Sequence, residues 1–129
     1  MINTLNIGKY IYSVLNGSEE ITSLAKTYPL IADNDAKYPF IIYRRVNLNS
    51  NGNKDGYYED DVTIEITVVS DKYSDSVDIA TKIRNLLERQ SVNYEDLEIN
   101  DTTLSLATEE YSNNAYVQRL QFTSKINKN

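Results

Sequence analysis

Three acids stand in a row at Glu59-Asp60-Asp61, and hard cations such as Mg²⁺ and Ca²⁺ bind oxygen-rich runs of this kind. Successive residues of a strand point to opposite faces, so three neighbours converge on one ion only across a sharp bend. The stretch NSNGNKDG just before them has the outline of a calcium loop. It places Asn where the first acid should stand and lacks the late bidentate Glu. Glu109-Glu110, beside Tyr111, invites a two-carboxylate acid/base reading, but adjacent strand residues again diverge. The junction VVSDKYSDSVD leads from a strand into a helix, where many folds bind phosphate. It contains no glycine to let backbone approach an anion, and Asp71, Asp75 and Asp78 would repel one. There is no His and no Cys, which removes Ser-His and Cys-His nucleophiles, thiolates, structural zinc and disulfides. The residues therefore give no catalytic constellation, no cofactor site and no metal site. The strand-to-helix junction reads as frame.

The elements that would position these side chains follow from composition and periodicity. The 129 residues suit one domain spanning 1–129, with 40% hydrophobic and 25% charged residues, ordinary for a globular chain. A net charge of −6 argues against non-specific nucleic-acid binding, which draws its affinity from Lys and Arg on phosphates, and leaves room for a local basic patch; no specific nucleic-acid binding is expected. The opening MINTLNIGKYIYSVLNGSEE lacks a signal-peptide core, and no run reaches the ~18 apolar residues of a membrane helix. No membrane association and a cytoplasmic start are the expectations.

Leu5, Ile7, Ile11, Val14 and Leu15 fall near one helical stripe, capped by Asn3 or Thr4 and ended by Asn16-Gly17. A short turn at EEITSLAK follows, then an edge piece over Tyr28 to Ala32 and a strand from Phe40 to Val46. The Asn- and Gly-rich residues 47–58 read as a long polar hairpin loop. Val62, Ile64, Ile66 and Val68 alternate with polar residues as a half-buried strand. Ser74 or Asp75 caps the next helix, whose apolar stripe is Ile79, Ala80, Ile83, Leu86 and Leu87. Two further strands, about Leu97 to Glu110 and Tyr116 to Ile126, flank the turn signal SNNA. Helix, hairpin, helix, hairpin predicts an α+β two-layer sandwich: a mainly antiparallel sheet of about four strands with two helices on one face.

Two surface features are candidates for partner contacts. Arg44 and Arg45 end an apolar strand and would meet an anion, a partner or neighbouring acids. Eleven tyrosines against two Phe and no Trp supply the amphipathic contact area that protein interfaces use, Tyr57 and Tyr58 among them.

The segment VTIEITVVSDKYSDSVDIATKIRNLLERQ resembles the central signature of the small tail-completion proteins of long-tailed bacteriophages, also called tail-to-head joining or tail-terminator proteins. YPFIIYRRV is similar to the strand that precedes it in that family, SEEITSLAKTYPLI to the family's opening, and YVQRLQFTSKI to its closing strand. The resemblance spans about residues 5 to 126, apart from the Asn-rich insert at 47–56. It implies a structural protein, not an enzyme, that forms a ring, commonly of six copies, at the head-proximal end of the tail tube. The ring would stop tube growth and meet the tail-tube protein and the head connector, in the virion tail or neck after assembly in the host cytoplasm. A cationic face with Arg45 and Arg119 meeting an acidic face with Glu59 and Asp60 would join the copies, with Arg44, Tyr57 and Tyr58 as further contacts. Another neck or minor tail protein of the same module, and a cytoplasmic adaptor domain outside phages, are the alternative readings.

Overall fold

The structure is a computed structural model and describes residues 4–52 and 58–128. After a 3-10 turn at Thr4–Asn6 come α1 (Ile7–Asn16), α2 (Glu19–Thr22), β1 (Lys26–Pro29), β2 (Phe40–Gly52), β3 (Tyr58–Ser70) and α3 (Tyr73–Leu87). Then follow β4 (Val92–Tyr94), β5 (Leu97–Ser112) and β6 (Ala115–Lys128). The strands make one six-stranded sheet in the order β1-β2-β3-β6-β5-β4, curled into a half-barrel. β1 runs parallel to β2, and every other neighbouring pair is antiparallel.

The sandwich of about four strands and two helices expected from the sequence is thus corrected to a mixed six-stranded sheet with three helices among the described residues. Two short flanking strands account for the difference. β1 ends at Pro29, whose missing N–H makes it tolerable only at an edge, and it docks beside Phe40 to Tyr43. β4 covers only Leu97 to Ile99 of β5. Of the stretch expected as loop from 47 to 58, residues 47–52 and 58 are ladder, and 53–57 lie outside the described residues. Residues 47–52 pair with 58–63 after a register shift between Arg45 and Asn47.

The central strand follows its alternation. Val62, Ile64, Ile66 and Val68 are all buried and lie in one cluster with Ile7, Ile11 and Leu15 of α1. Ile79, Ile83 and Leu87 of α3, and Leu120, Phe122 and Ile126 of β6, complete it. All are apolar residues whose spacing puts them on one stripe or one face.

The capping expectations shift. Asn3 lies outside the described residues, and α1 starts from Asn6 without a side-chain cap hydrogen bond. Gly17 follows α1 with φ of −84°, so it is not there for a left-handed turn; a Cβ would sit 2.7 Å from the Ser13 carbonyl oxygen. α3 starts at Tyr73, one residue ahead of Ser74, after the Ser70 hydroxyl accepts the Lys72 N–H at 3.1 Å. The SNNA turn forms as expected: Asn113 and Asn114 take φ of 53° and 62°, the left-handed pair that a two-residue hairpin loop demands.

Ile66 is fully buried at the centre of this arrangement. Ile66→Ala should lower unfolding stability by about 2–5 kcal/mol, the range for deleting a buried aliphatic side chain. Leu106→Ser, on a half-exposed side chain, should stay within about 0.5 kcal/mol. Urea titration followed by far-UV circular dichroism checks both.

Candidate functional site

The sheet face turned away from the helices is polar at its centre. Residue parity assigns it. Ile41 and Tyr43 pack toward the helices, so Ile42 and Arg44 point the other way. On β3 this face carries Thr63, Glu65 and Thr67, opposite Thr123, Gln121 and Arg119 of β6. The Arg44 Nε donates to Glu65 Oε1 at 3.1 Å, and the Gln121 Nε2 donates to Glu65 Oε2 at 3.0 Å. Arg119 pairs with Glu110 of β5. Thr63 and Thr123 share a hydrogen bond at 3.2 Å, and Thr123 donates onward to Ser105 at 3.1 Å.

Glu65 is the least exposed acid of this network, with its side chain 12% exposed. Burial works to raise its pKa. The hydrogen bonds from Gln121 and Arg44, with the charges of Arg44 and Arg119, outweigh burial and hold its carboxyl below the ordinary value.

Of the contact residues expected from the sequence, Arg44 and Arg119 are brought to this one face. Arg45 is not. It follows Ile41 and Tyr43 onto the helix side, where its Nη1 donates to the Leu5 carbonyl at 3.0 Å. A cationic face built from Arg45 with Arg119 is therefore replaced by one built from Arg44 with Arg119. Glu59 and Asp60 sit side by side on β3, opposite Asn127 and Ile126, and so point to opposite faces. Tyr58 opens β3 opposite Gly52, and Tyr57 lies outside the described residues. Among the described residues no three acids, His or Cys gather into a metal-holding group.

Sequence reasoning missed a second cluster, on the helix side of the β5–β6 hairpin. The Tyr73 hydroxyl and the Gln118 amide donate to Glu109, at 3.0 and 2.9 Å. Hydrogen bonds from Gln118 and then Tyr73 hold Glu109 below its usual pKa, and the same bond to Glu109 raises that of Tyr73. The Tyr116 ring contacts both Tyr73 and Tyr111, with centroids 5.7 and 4.9 Å apart. Tyr111 is 62% exposed. Glu109 and Glu110 diverge to the two faces, which leaves no acid/base pair. A run of polar residues and tyrosines after an apolar strand was the only signal. Nothing in it named Tyr73, 36 residues away, as the partner.

Among the described residues the arrangement is a polar sheet face and a tyrosine-bearing hairpin, with no group of three acids, His or Cys gathered together. The family model described as Tail completion protein gp17 matches residues 9–126. No curated protein matches the sequence. A solved chain described as "Virion of native gene transfer agent (GTA) particle" shares the fold, with a TM-score of 0.77 over 91% of both chains at 9% identity.

Because the folded-state pKa of Glu65 is depressed, its contribution is present above the unfolded-state carboxylate value and is lost as pH falls through the folded value. Glu65→Gln should thus cost about 1 kcal/mol at neutral pH, the usual worth of such hydrogen bonds. The gap to the parent chain should close in acid. Thermal melts at a series of pH values read this directly.

Proposed function

The chain belongs to the tail completion protein gp17 family, and from that premise we propose that it closes the head-proximal end of a bacteriophage-type tail tube as a ring of six copies. Bound there, the ring ends tube growth and gives the tail a surface that the head connector recognises. It acts as a structural part of the tail and performs no reaction. The single observation that carries this reading is the family match across residues 9–126, nearly the whole described fold. The fold shared with a chain of a gene transfer agent virion supports it. So does the division of the surface: a helix side committed to the core, and a strand face whose Arg44 and Arg119 stand exposed beside acids.

In a ring each subunit presents one surface to a neighbour that answers with a different one. Arg119 and the β5–β6 hairpin supply contact groups on one flank. Arg44, Arg45, Tyr58, Glu59 and Asp60, on β2 and the start of β3, supply them on the other. The tail-tube protein and the head connector are the further partners.

Deletion of the gene should leave overlong tail tubes beside filled, tailless heads in negatively stained lysates. Normal virions from the deletion strain would overturn the proposal.

A further inference from the structure

Both flanks of the sheet are left half open. β1 covers β2 only from Phe40 to Tyr43, so from Arg44 to Gly52 the outer backbone edge of β2 has no strand beside it among the described residues. On the far flank β4 covers β5 from Leu97 to Ile99. Arg89 N–H then bonds the Thr102 carbonyl, and the Glu88 carboxylate takes the Leu104 N–H. From Ser105 to Ser112 the outer edge of β5 has no backbone partner among the described residues. Unpaired edges of this length invite strand addition. Neither SLATEEYS nor RRVNLNSNG contains the Lys or Pro that blunt many such edges; each edge carries a β-bulge, between Arg45 and Asn47 and between Leu104 and Leu106, and a pair of like charges that a complementary edge would answer.

We infer that copies of this chain join edge to edge, the open run of β2 in one copy adding antiparallel to the open run of β5 in the next, so that one sheet continues around the ring. The inference rests on the ring proposed above. Three independent features agree with it. First, β2, β3, β6 and β5 are joined by three antiparallel steps, so β2 and β5 run in opposite directions. Rotation about a ring axis keeps each strand's sense, and the joint is then antiparallel.

Second, the charges match. Arg44-Arg45 begin one open run and Glu109-Glu110 lie near the end of the other. An antiparallel joint that sets Arg44 against Glu110 also sets Arg45 against Glu109. Opposed residues of such a pair must share a face, and these do. Arg44 and Glu110 lie on the helix-free face, through their partners Glu65 and Arg119. Arg45 and Glu109 lie on the helix side, through Leu5 and Tyr73.

Third, the open halves are offset. Within one chain Arg44 is level with Leu106, through Glu65 and Gln121. Pairing it with Glu110 slides the neighbour four residues along the strand. Closed barrels require tilted strands and a stagger of this kind.

Hydrogen exchange of the unaltered protein, free and then assembled on tails, tests the joint. Alternate amides within 44–49 and within 105–110, the residues this register sets against each other, should exchange about tenfold more slowly or better on assembly, as newly bonded strand amides do. Assembled rings in which both runs exchange as in the free chain would overturn edge pairing while leaving the ring intact. A second test uses the absence of native Cys: oxidised tails carrying Arg44→Cys with Glu110→Cys should run as a ladder of covalent multimers on non-reducing gels. Rings visible by microscopy without that ladder would also defeat the joint. Normal virions from the deletion strain would instead defeat the ring itself.

Discussion

The pairing of β3 with β6 is the constraint on which the rest depends. These strands are not consecutive; α3, β4 and β5 lie between them. Twelve residue pairs, from Glu59 with Asn127 to Ser70 with Tyr116, fuse two hairpins into one sheet. An isolated hairpin is marginal in water, because it has no second surface on which to bury its apolar face. The β3–β6 ladder sets Ile64 against Phe122 and Ile66 against Leu120, and α1 and α3 bury that surface. The same register sets Glu65 against Gln121 on the other face. A slip of one residue would exchange the two sets, exposing isoleucines and burying Glu65 and Arg119.

That register also apportions the surface. The helices take one face for the core, which leaves the opposite face, the hairpin tip and the sheet flanks uncovered by the chain's own helices. On the open face the cations are already held by acids, Arg44 by Glu65 and Arg119 by Glu110. Exposed ion pairs contribute little to folding. Here they fix the direction of two arginines and make this face a patch of mixed charge. The Tyr73, Tyr111 and Tyr116 rings stiffen the protruding end of the β5–β6 hairpin from the helix side.

Much of this was legible in the residues. The alternation at Val62 to Val68, the stripe from Ile79 to Leu87 and the SNNA turn each specify their element locally, and each formed. What escaped had a physical reason. β1 and β4 are four and three residues long, too short to show a period, and they exist because a long strand stands beside them. Asn47, Asn49 and Asn51 look like loop by propensity, yet the β3 register carries them into the ladder; pairing with a neighbouring strand overrides intrinsic preference. The assignment of Arg45 to the face of Arg119 failed because FIIY is apolar at four successive positions. Such a run hides its own parity. Only the packing of Ile41 and Tyr43 reveals that Arg44, one residue earlier, is the one facing outward. The family resemblance was legible where order and spacing carried it, across most of the chain.

The central claim is a place: the end of the tail that meets the head. Electron microscopy of virions carrying an epitope at the C-terminus of this chain, decorated with gold-labelled antibody, tests it most directly. The account predicts gold at the head–tail junction and nowhere else. Gold along the tube or at the distal tip, with the junction bare, would contradict it.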